Sequence, residues 1–321
     1  MNDSREMLIS VVIPVYKSED ILHELCSRLH KVFDTLKINY EVIMVNDYSP
    51  DKSWERMVEI SKENPKVKSI LLRKNVGYEC AVMAGLNLSN GNFVVLMDDD
   101  LQHAPEDIPK LIEEIEKGYD VVYANFTAKK QSLFKNIGSW FNGKIAQFVI
   151  KKPKDIYLSP FKVMKKEIAD EVIKYYGPFP YVDGLIFRIT SSIHQIPITH
   201  YKRKIGKGNY NLYRSFKIWL NLFTGFSVLP LRFATLIGIF MSFTAFVLSI
   251  LLIIWKYILG GEAPLGWGTN VFIALMIGGI QLIVLGITGE YIGRIYLSVN
   301  KQPQFIIKEM NNFIAKDMHR N

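Results

Sequence analysis

Five stretches in the first half of the chain are apolar at nearly every position: LISVVIPV, YEVIMVND, VKSILL, NFVVLMDD and YDVVYANF. A strand with one wet face alternates apolar and polar residues, so these runs read as strands buried on both faces. Between them lie longer segments with helical spacing: Glu19 to about Leu36, the stretch after Ser49-Pro50-Asp51, one opening near Asn75, and Pro105 to about Lys117. This alternation predicts an α/β fold, a mainly parallel sheet covered by helices. Ligands of such sheets bind beyond the carboxyl ends of the strands. No GxGxxG follows the first strand, which argues against a dinucleotide-binding domain.

The pattern changes after residue 210. Phe233–Trp255 and Gly268–Gly289 carry no charge, and a bilayer core of about 30 Å needs about 20 apolar residues per helix. Buried core helices rarely run so long without a polar stripe, so a hairpin of two transmembrane helices is expected. Its link, Lys256–Trp267, contains Gly260, Gly261, Pro264 and Gly266 and only two charges, Lys256 and Glu262. Arg214, Lys217, Arg232, Arg294, Lys301 and Lys308 flank the opposite ends. That excess of cations places those ends and both termini in the cytosol. Ahead of the first span, Tyr213, Phe216, Leu220, Phe223 and Phe226 recur at helical spacing with Arg214 and Lys217 between them. This is the build of a helix in the headgroup layer, or of one packed on a core. The expected organisation is a cytosolic α/β domain over 1–210, an interfacial helix over 211–232, two spans over 233–295 and a basic cytosolic tail over 296–321.

The formal net charge of +8 admits nucleic acid, anionic lipid or a phosphorylated substrate. The cations cluster at 129–166, 202–217 and 294–320 without any nucleic-acid-binding motif. Two clusters border the apolar segments, which favours a membrane surface and no nucleic acid. Cys26 and Cys80 have no metal-ligand or disulfide spacing. The opening MNDSREMLIS lacks the charged-then-apolar build of a signal peptide, so the amino end is expected to stay in the cytosol.

The polar residues gather where the strands end. Pro14, Tyr16 and Glu19 follow the first strand; Asn46, Asp47 and Ser49 the second; Arg73, Lys74 and Asn75 the third; Asp98, Asp99, Asp100 and Gln102 the fourth. In extended backbone Asp98 and Asp100 point one way and Asp99 the other. Two carboxylates and the Gln102 amide suit a hard cation, Mg²⁺ or Mn²⁺. The alternative is a solvated turn or a cap leading into Pro105. His103 reads as an exposed loop residue. Asp183, in PFPYVDGLIF, is either a general base or a cap for the segment after it. Glu290 and Arg294 lie one helical turn apart and should pair.

The motifs IPVYKSED, VNDYSPD, NVG…AVMAGL and MDDDLQHAPEDIPKLIEEIEKGYDVVYA resemble the inverting glycosyltransferases of family 2, which have the GT-A fold. Within that family the chain is most similar to the branch containing dolichol-phosphate mannose synthase and the bacterial polyprenyl-phosphate glycosyltransferases. The DLQH continuation, the Arg203…Gly206…Tyr210 segment and the PLR…GEYIGRIY frame carry that likeness over nearly the whole chain. The resemblance implies a Rossmann-like nucleotide-sugar-binding domain and a sugar passed from a nucleotide-sugar donor to a polyprenyl phosphate. It places Pro14, Tyr16, Glu19, Asn46, Asp47, Asp98 and Asp99 at the nucleotide and Asp98, Asp100 and Gln102 at the metal. Arg203 would close over the diphosphate and the acceptor phosphate. Lys129, Lys135, Lys162, Lys207 and Arg232 are further phosphate candidates, and Asp100, Asp183 and Arg203 are the residues expected to act in catalysis. The sequence departs from the family at Asn46, where an aspartate is usual, and at Phe126, where many relatives have an arginine.

An acceptor phosphate is already mostly dianionic near neutral pH, because its second pKa is about 6, and needs little help from a base. A hydroxyl acceptor on a glycan or protein would need one, which keeps Asp183 in view. A processive polysaccharide synthase would carry a QxxRW segment, and the chain has none. A non-catalytic membrane scaffold would not need Asp98, Asp100 and Gln102. The expected location is a cell inner (plasma) membrane, crossed more than once, with the membrane region a candidate homo-oligomer surface.

Overall fold

The computed structural model describes residues 7–126, 153, 156–198, 267–300 and 302–313, with scattered positions between 231 and 254. The chain divides into two units, Met1–Asn211 with Lys301–Asn321, and Leu212–Asn300.

The first unit is built on eight strands: β1 (Leu8–Val15), β2 (Asn39–Asn46), β3 (Val67–Leu72), β4 (Phe93–Leu96), β5 (Val121–Asn125), β6 (Lys162–Lys165), β7 (Ile193–Pro197) and β8 (Ile307–Asn311). They form one sheet in the order β7-β5-β6-β4-β1-β2-β3-β8. The pairs β1–β2, β1–β4, β2–β3 and β5–β7 are parallel, and β6 and β8 run antiparallel to their neighbours. The five apolar runs are β1 to β5, and the sequence boundaries of β1 and β3 coincide with the observed ones. Pro14 is tolerated in a central strand because pairing with β4 has already ended at Val12, so its missing N–H costs no ladder bond there.

The helices α1 (Leu22–Leu36), α2 (Ser53–Glu63), α3 (Tyr78–Asn87), α4 (Ile108–Ile115), α5 (Lys166–Val172) and α6 (Val182–Ile189) cover this sheet. In α1 the buried positions Leu22, Leu25, Cys26, Leu29, Val32 and Phe33 fall on one stripe. Helix α3 packs closely on β1 and β2 at Gly85. A Cβ on Gly85 would stand 2.3 Å from Val12 Cγ1, so only glycine permits this approach. That contact sets the position of the first turn of α3, which enters the site.

The segment 302–313 was not foreseen as structured. It adds β8 to the open edge of β3, with Arg73 N–H donating to Ile306 O at 2.9 Å. Asn312, at φ 63°, donates to Ser61 O and Val67 O, and Gln304 Nε2 donates to Tyr175 O and Gly177 O. A strand of KEM with charged residues gives little apolar signal, so the basic tail of the sequence reading hid it. Asn312→Ala removes the donor to two carbonyls and is expected to cost about 1–2 kcal/mol. A lowered urea midpoint, with the slope unchanged, would check this.

The second unit contains α7 (Trp267–Val299), a helix of 33 residues, about 50 Å long at 1.5 Å per residue. It continues past Gly289, where the uncharged run stops, and there Arg294 donates to Glu290 Oε1 at 2.9 Å, the pairing expected for residues one helical turn apart. Its part Ile277–Val299 is long and apolar enough to cross a membrane by length and composition. Leu282, Ile283 and Leu285 are exposed, as lipid-facing residues would be. The described positions between 231 and 254 are helical. Residues 256–266 of the expected link and the expected interfacial helix up to 230 lie outside the described residues, and Trp267 already belongs to α7.

Candidate active site

The loops after β1, β2, β3 and β4 meet at the carboxyl ends of the parallel strands. Asn46 is wholly buried, and its Oδ1 accepts Ser49 N–H at 2.7 Å. It shapes the turn after β2, a role an amide oxygen fills as well as a carboxylate. Asp47 is also buried. Its two carboxylate oxygens accept Val76 N–H at 2.7 Å and Gly77 N–H at 2.8 Å. Gly77 has φ 93°, a backbone conformation other residues rarely adopt. Burial nonetheless raises the Asp47 carboxyl, with those two amides pulling the other way. Glu19 Oε2 accepts Lys52 N–H at 2.8 Å, which ties the loop after β1 to the turn after β2. Tyr16 stands exposed at the rim.

The three aspartates lie beyond the end of β4, with Asp99 and Asp100 in bends, and they make different contacts. Asp99 turns to the loop after β1, where Oδ2 accepts Ser18 Oγ–H at 2.5 Å and Tyr16 N–H at 3.1 Å. Burial pushes it up to about 6. Asp100 Oδ1 accepts Gln102 N–H at 3.0 Å, across Leu101 at φ 57°. Asp98 is the strained member. Burial, then the charges of Asp100 and Asp99, push its carboxyl up to about 7, against a hydrogen bond from Tyr78. Its Oδ1 is buried and has no hydrogen-bond partner. A buried, unpaired carboxylate oxygen beside a second carboxylate fits a bound cation, which would supply the missing partner. Among the described residues no three His, Cys, Asp or Glu side chains converge on a metal position.

His103 corrects the sequence reading. It is 3% exposed, and its ring is sandwiched between Phe126 and Phe161 with centroids 5.3 Å away on each side. Phe126 leaves the end of β5 and Phe161 precedes β6, so the stack joins residues whose proximity the sequence does not reveal. His103 Nδ1 accepts Asp98 N–H at 3.4 Å, supporting the triplet from beneath.

Lys162, on β6, is 4% exposed and forms an ion pair with Asp183 in the first turn of α6. Tyr123 O–H donates to the same oxygen, Asp183 Oδ1, at 2.8 Å, and Lys162 Nζ lies 5.0 Å from the Tyr123 ring centroid. Lys162 and Asp183 border a cavity of about 180 Å³, whose lining also includes Tyr78, Glu79 and Val82. Glu79 was not singled out from the sequence. It sits in the apolar run YECAVMAGL, where nothing marks it as convergent with Asp183. Burial and then the Asp183 charge push its carboxyl up to about 7. Lys129, Lys135, Arg203, Lys207 and Arg232 lie outside the described residues.

Residues 10–173 match the family described as Glycosyl transferase family 2, and the chain belongs to that family. It is a glycosyltransferase with a GT-A-like fold. It is 33% identical over 319 residues to the glycosyltransferase YkcC of Bacillus subtilis (strain 168), covering 99% of this chain and 98% of that one. It is 32% identical over 316 residues to the undecaprenyl-phosphate 4-deoxy-4-formamido-L-arabinose transferase of Aeromonas hydrophila subsp. hydrophila, covering 97% and 96%. Among solved structures it resembles glucosyl-3-phosphoglycerate synthase from Mycobacterium tuberculosis with Mn²⁺ and UDP-glucose, at TM-score 0.52 and 15% identity over 68% of this chain and 77% of that one. The likeness at that identity is one of fold.

Proposed function

We propose that this enzyme transfers a sugar from a UDP-, GDP- or dTDP-linked donor to a polyprenyl phosphate, undecaprenyl phosphate being the expected acceptor. Asp98 Oδ1, buried and unpartnered beside Asp100, carries the assignment: it is a place for a divalent cation where the donor diphosphate would end. Asp98, Asp100 and Gln102 would hold Mg²⁺ or Mn²⁺, whose Lewis acidity stabilises charge on the leaving diphosphate. The Mycobacterium tuberculosis synthase of the same fold binds Mn²⁺ and UDP-glucose, which supports this placement. The acceptor phosphate oxygen forms a bond to the anomeric carbon as the bond to the nucleoside diphosphate breaks on the opposite face, so configuration inverts.

Two observations support a lipid phosphate over a hydroxyl acceptor. The Aeromonas relative, aligned along almost its whole length, is named for transfer to undecaprenyl phosphate. Asp183 Oδ1 is already engaged by the Lys162 ammonium and the Tyr123 hydroxyl, so that oxygen is held within the protein rather than presented to an acceptor hydroxyl. In this reading α7 is one of two spans that keep the domain at the cytosolic face of a plasma membrane. Arg203, Lys207 and Arg232, together with Lys129 and Lys135, meet the phosphates, where guanidinium groups can bind two oxygens at once. A panel of radiolabelled nucleotide-sugars, incubated with purified protein, polyprenyl phosphate and Mn²⁺, should yield label in the organic extract. Label found only on glycan or protein acceptors would refute the lipid assignment.

A further inference from the structure

Glu79 stands where three parts of the site join. It follows Val76 and Gly77, whose amides hold Asp47, and Tyr78, which bonds Asp98. Its own Oε2 accepts Val182 N–H at 3.0 Å. Val182 opens α6, so Glu79 satisfies an otherwise orphaned donor of a helix it does not belong to. A carboxylate has about four acceptor sites, and one amide uses one of them.

The cavity beside Glu79 has the character of a site for one sugar ring. Its ≈ 180 Å³ is below the roughly 300–1,000 Å³ of pockets that enclose drug-sized ligands, too little for a nucleoside diphosphate. Glu79, Asp183 and Lys162 supply the polar wall, and Val82, Leu96 and Pro160 an apolar one. A pyranose has the complementary pattern, with hydroxyls around its edge and C–H groups on its faces. The charges are unequal. Among the described residues lining this cavity Lys162 is the cation, paired with Asp183 and within electrostatic reach of Glu79, so two carboxyl groups share one ammonium. A hydroxyl or ammonium group can donate to Glu79, whereas a further anion would meet repulsion in a poorly solvated space.

We propose that Glu79 is a specificity residue for the donor sugar, accepting hydrogen bonds from its hydroxyl or amino groups and excluding sugars that bear a carboxylate. This inference rests on the donor-binding reading above. Its test compares nucleotide-linked neutral, amino and uronic acid sugars, with polyprenyl phosphate as acceptor, for wild type and Glu79→Gln. The glutamine keeps an oxygen for Val182 N–H, so α6 retains its contact. Wild type should transfer a neutral or amino sugar and use the uronic acid donor about 100-fold less well, the scale of a like-charge juxtaposition. Glu79→Gln should lower kcat/KM for the preferred sugar roughly 10-fold and narrow the discrimination against the uronic acid. Inhibition by the free nucleoside diphosphate should not change. Wild type that accepts the uronic acid equally well, or a Glu79→Gln variant with unaltered discrimination, overturns the inference. So does a variant that loses nucleoside diphosphate binding, since Glu79 would then act through the fold. Wild type that neither transfers sugar from any of these donors nor hydrolyses them refutes the donor reading itself, and the role of Glu79 with it.

Discussion

Alanine at Asp98 or Asp100 is expected to reduce sugar transfer by about 10²–10³-fold or more, the scale of losing one preorganised electrostatic contact to a developing charge. Stability should not fall with it. Asp98 is a buried carboxylate with an unpartnered oxygen and two acidic neighbours, so removing its charge relieves repulsion and desolvation. Asp98→Asn should therefore unfold at the same or a higher temperature than the metal-free wild type while remaining inactive. The pH dependence has a definite sign. A carboxyl raised to about 7 binds its proton more tightly in the folded than in the unfolded protein. Its stabilising contribution is complete below about pH 4 and declines as pH rises toward 7. The Asn variant should lack that decline. A cation must displace the same proton, so apparent Mn²⁺ affinity should increase with pH up to about 7 and then level. Thermal scans across pH, with and without Mn²⁺, measure both effects. Full turnover in excess chelator would exclude a metal at Asp98 and Asp100.

Strands β1 to β5 were legible because burial on both faces writes itself into the sequence as uninterrupted apolar runs, whereas the half-buried parallel strand β7, IHQIP, gives no such run. β1 and β3 could be bounded to the residue. The antiparallel strands β6 and β8 were not legible. KVMK and IKEMN are short and mix lysine with apolar residues, and their place in the sheet depends on partners far along the chain. The same distinction governs the site. Asp98, Asp99 and Asp100 follow one strand, so their gathering at its carboxyl end is local, whereas the contact of Asp99 with Ser18 depends on the neighbouring loop. His103 looked like a loop residue because Phe126 and Phe161, which bury it, are remote in sequence. Lys162 and Asp183 were each noted, the lysine as a phosphate contact and the aspartate as base or cap. Their pairing needs the β4–β6 register and the entry of α6, which no local pattern encodes. Glu79 was missed because its helix is buried nearly all round, which leaves no polar face to stand out from.

Lys162→Met is expected to destabilise the α/β unit by about 3–5 kcal/mol, the cost of removing one partner of a buried ion pair. Exposure decides between this and the alternative. The side chains of Lys162 and Asp183 are 5% and 13% exposed, whereas solvent-accessible pairs contribute only about 0.2–1 kcal/mol. Tyr123 O–H remains on Asp183 Oδ1 in the variant, but one neutral donor cannot replace an ammonium. The double variant Lys162→Met/Asp183→Asn should regain much of the loss, because the asparagine oxygen still accepts from Tyr123 and no buried charge is left alone. Urea midpoints for the wild type, both single variants and the double variant give the coupling directly. Activity then separates structure from chemistry. If the pair serves only to fix α6 against β6, the refolded double variant should retain most of its turnover. If the pair contacts substrate, the double variant should be nearly as stable as wild type and still fail, with the loss appearing in kcat/KM for the sugar donor. A Lys162→Met variant with an unchanged urea midpoint would mean that the pair contributes no more than a surface contact.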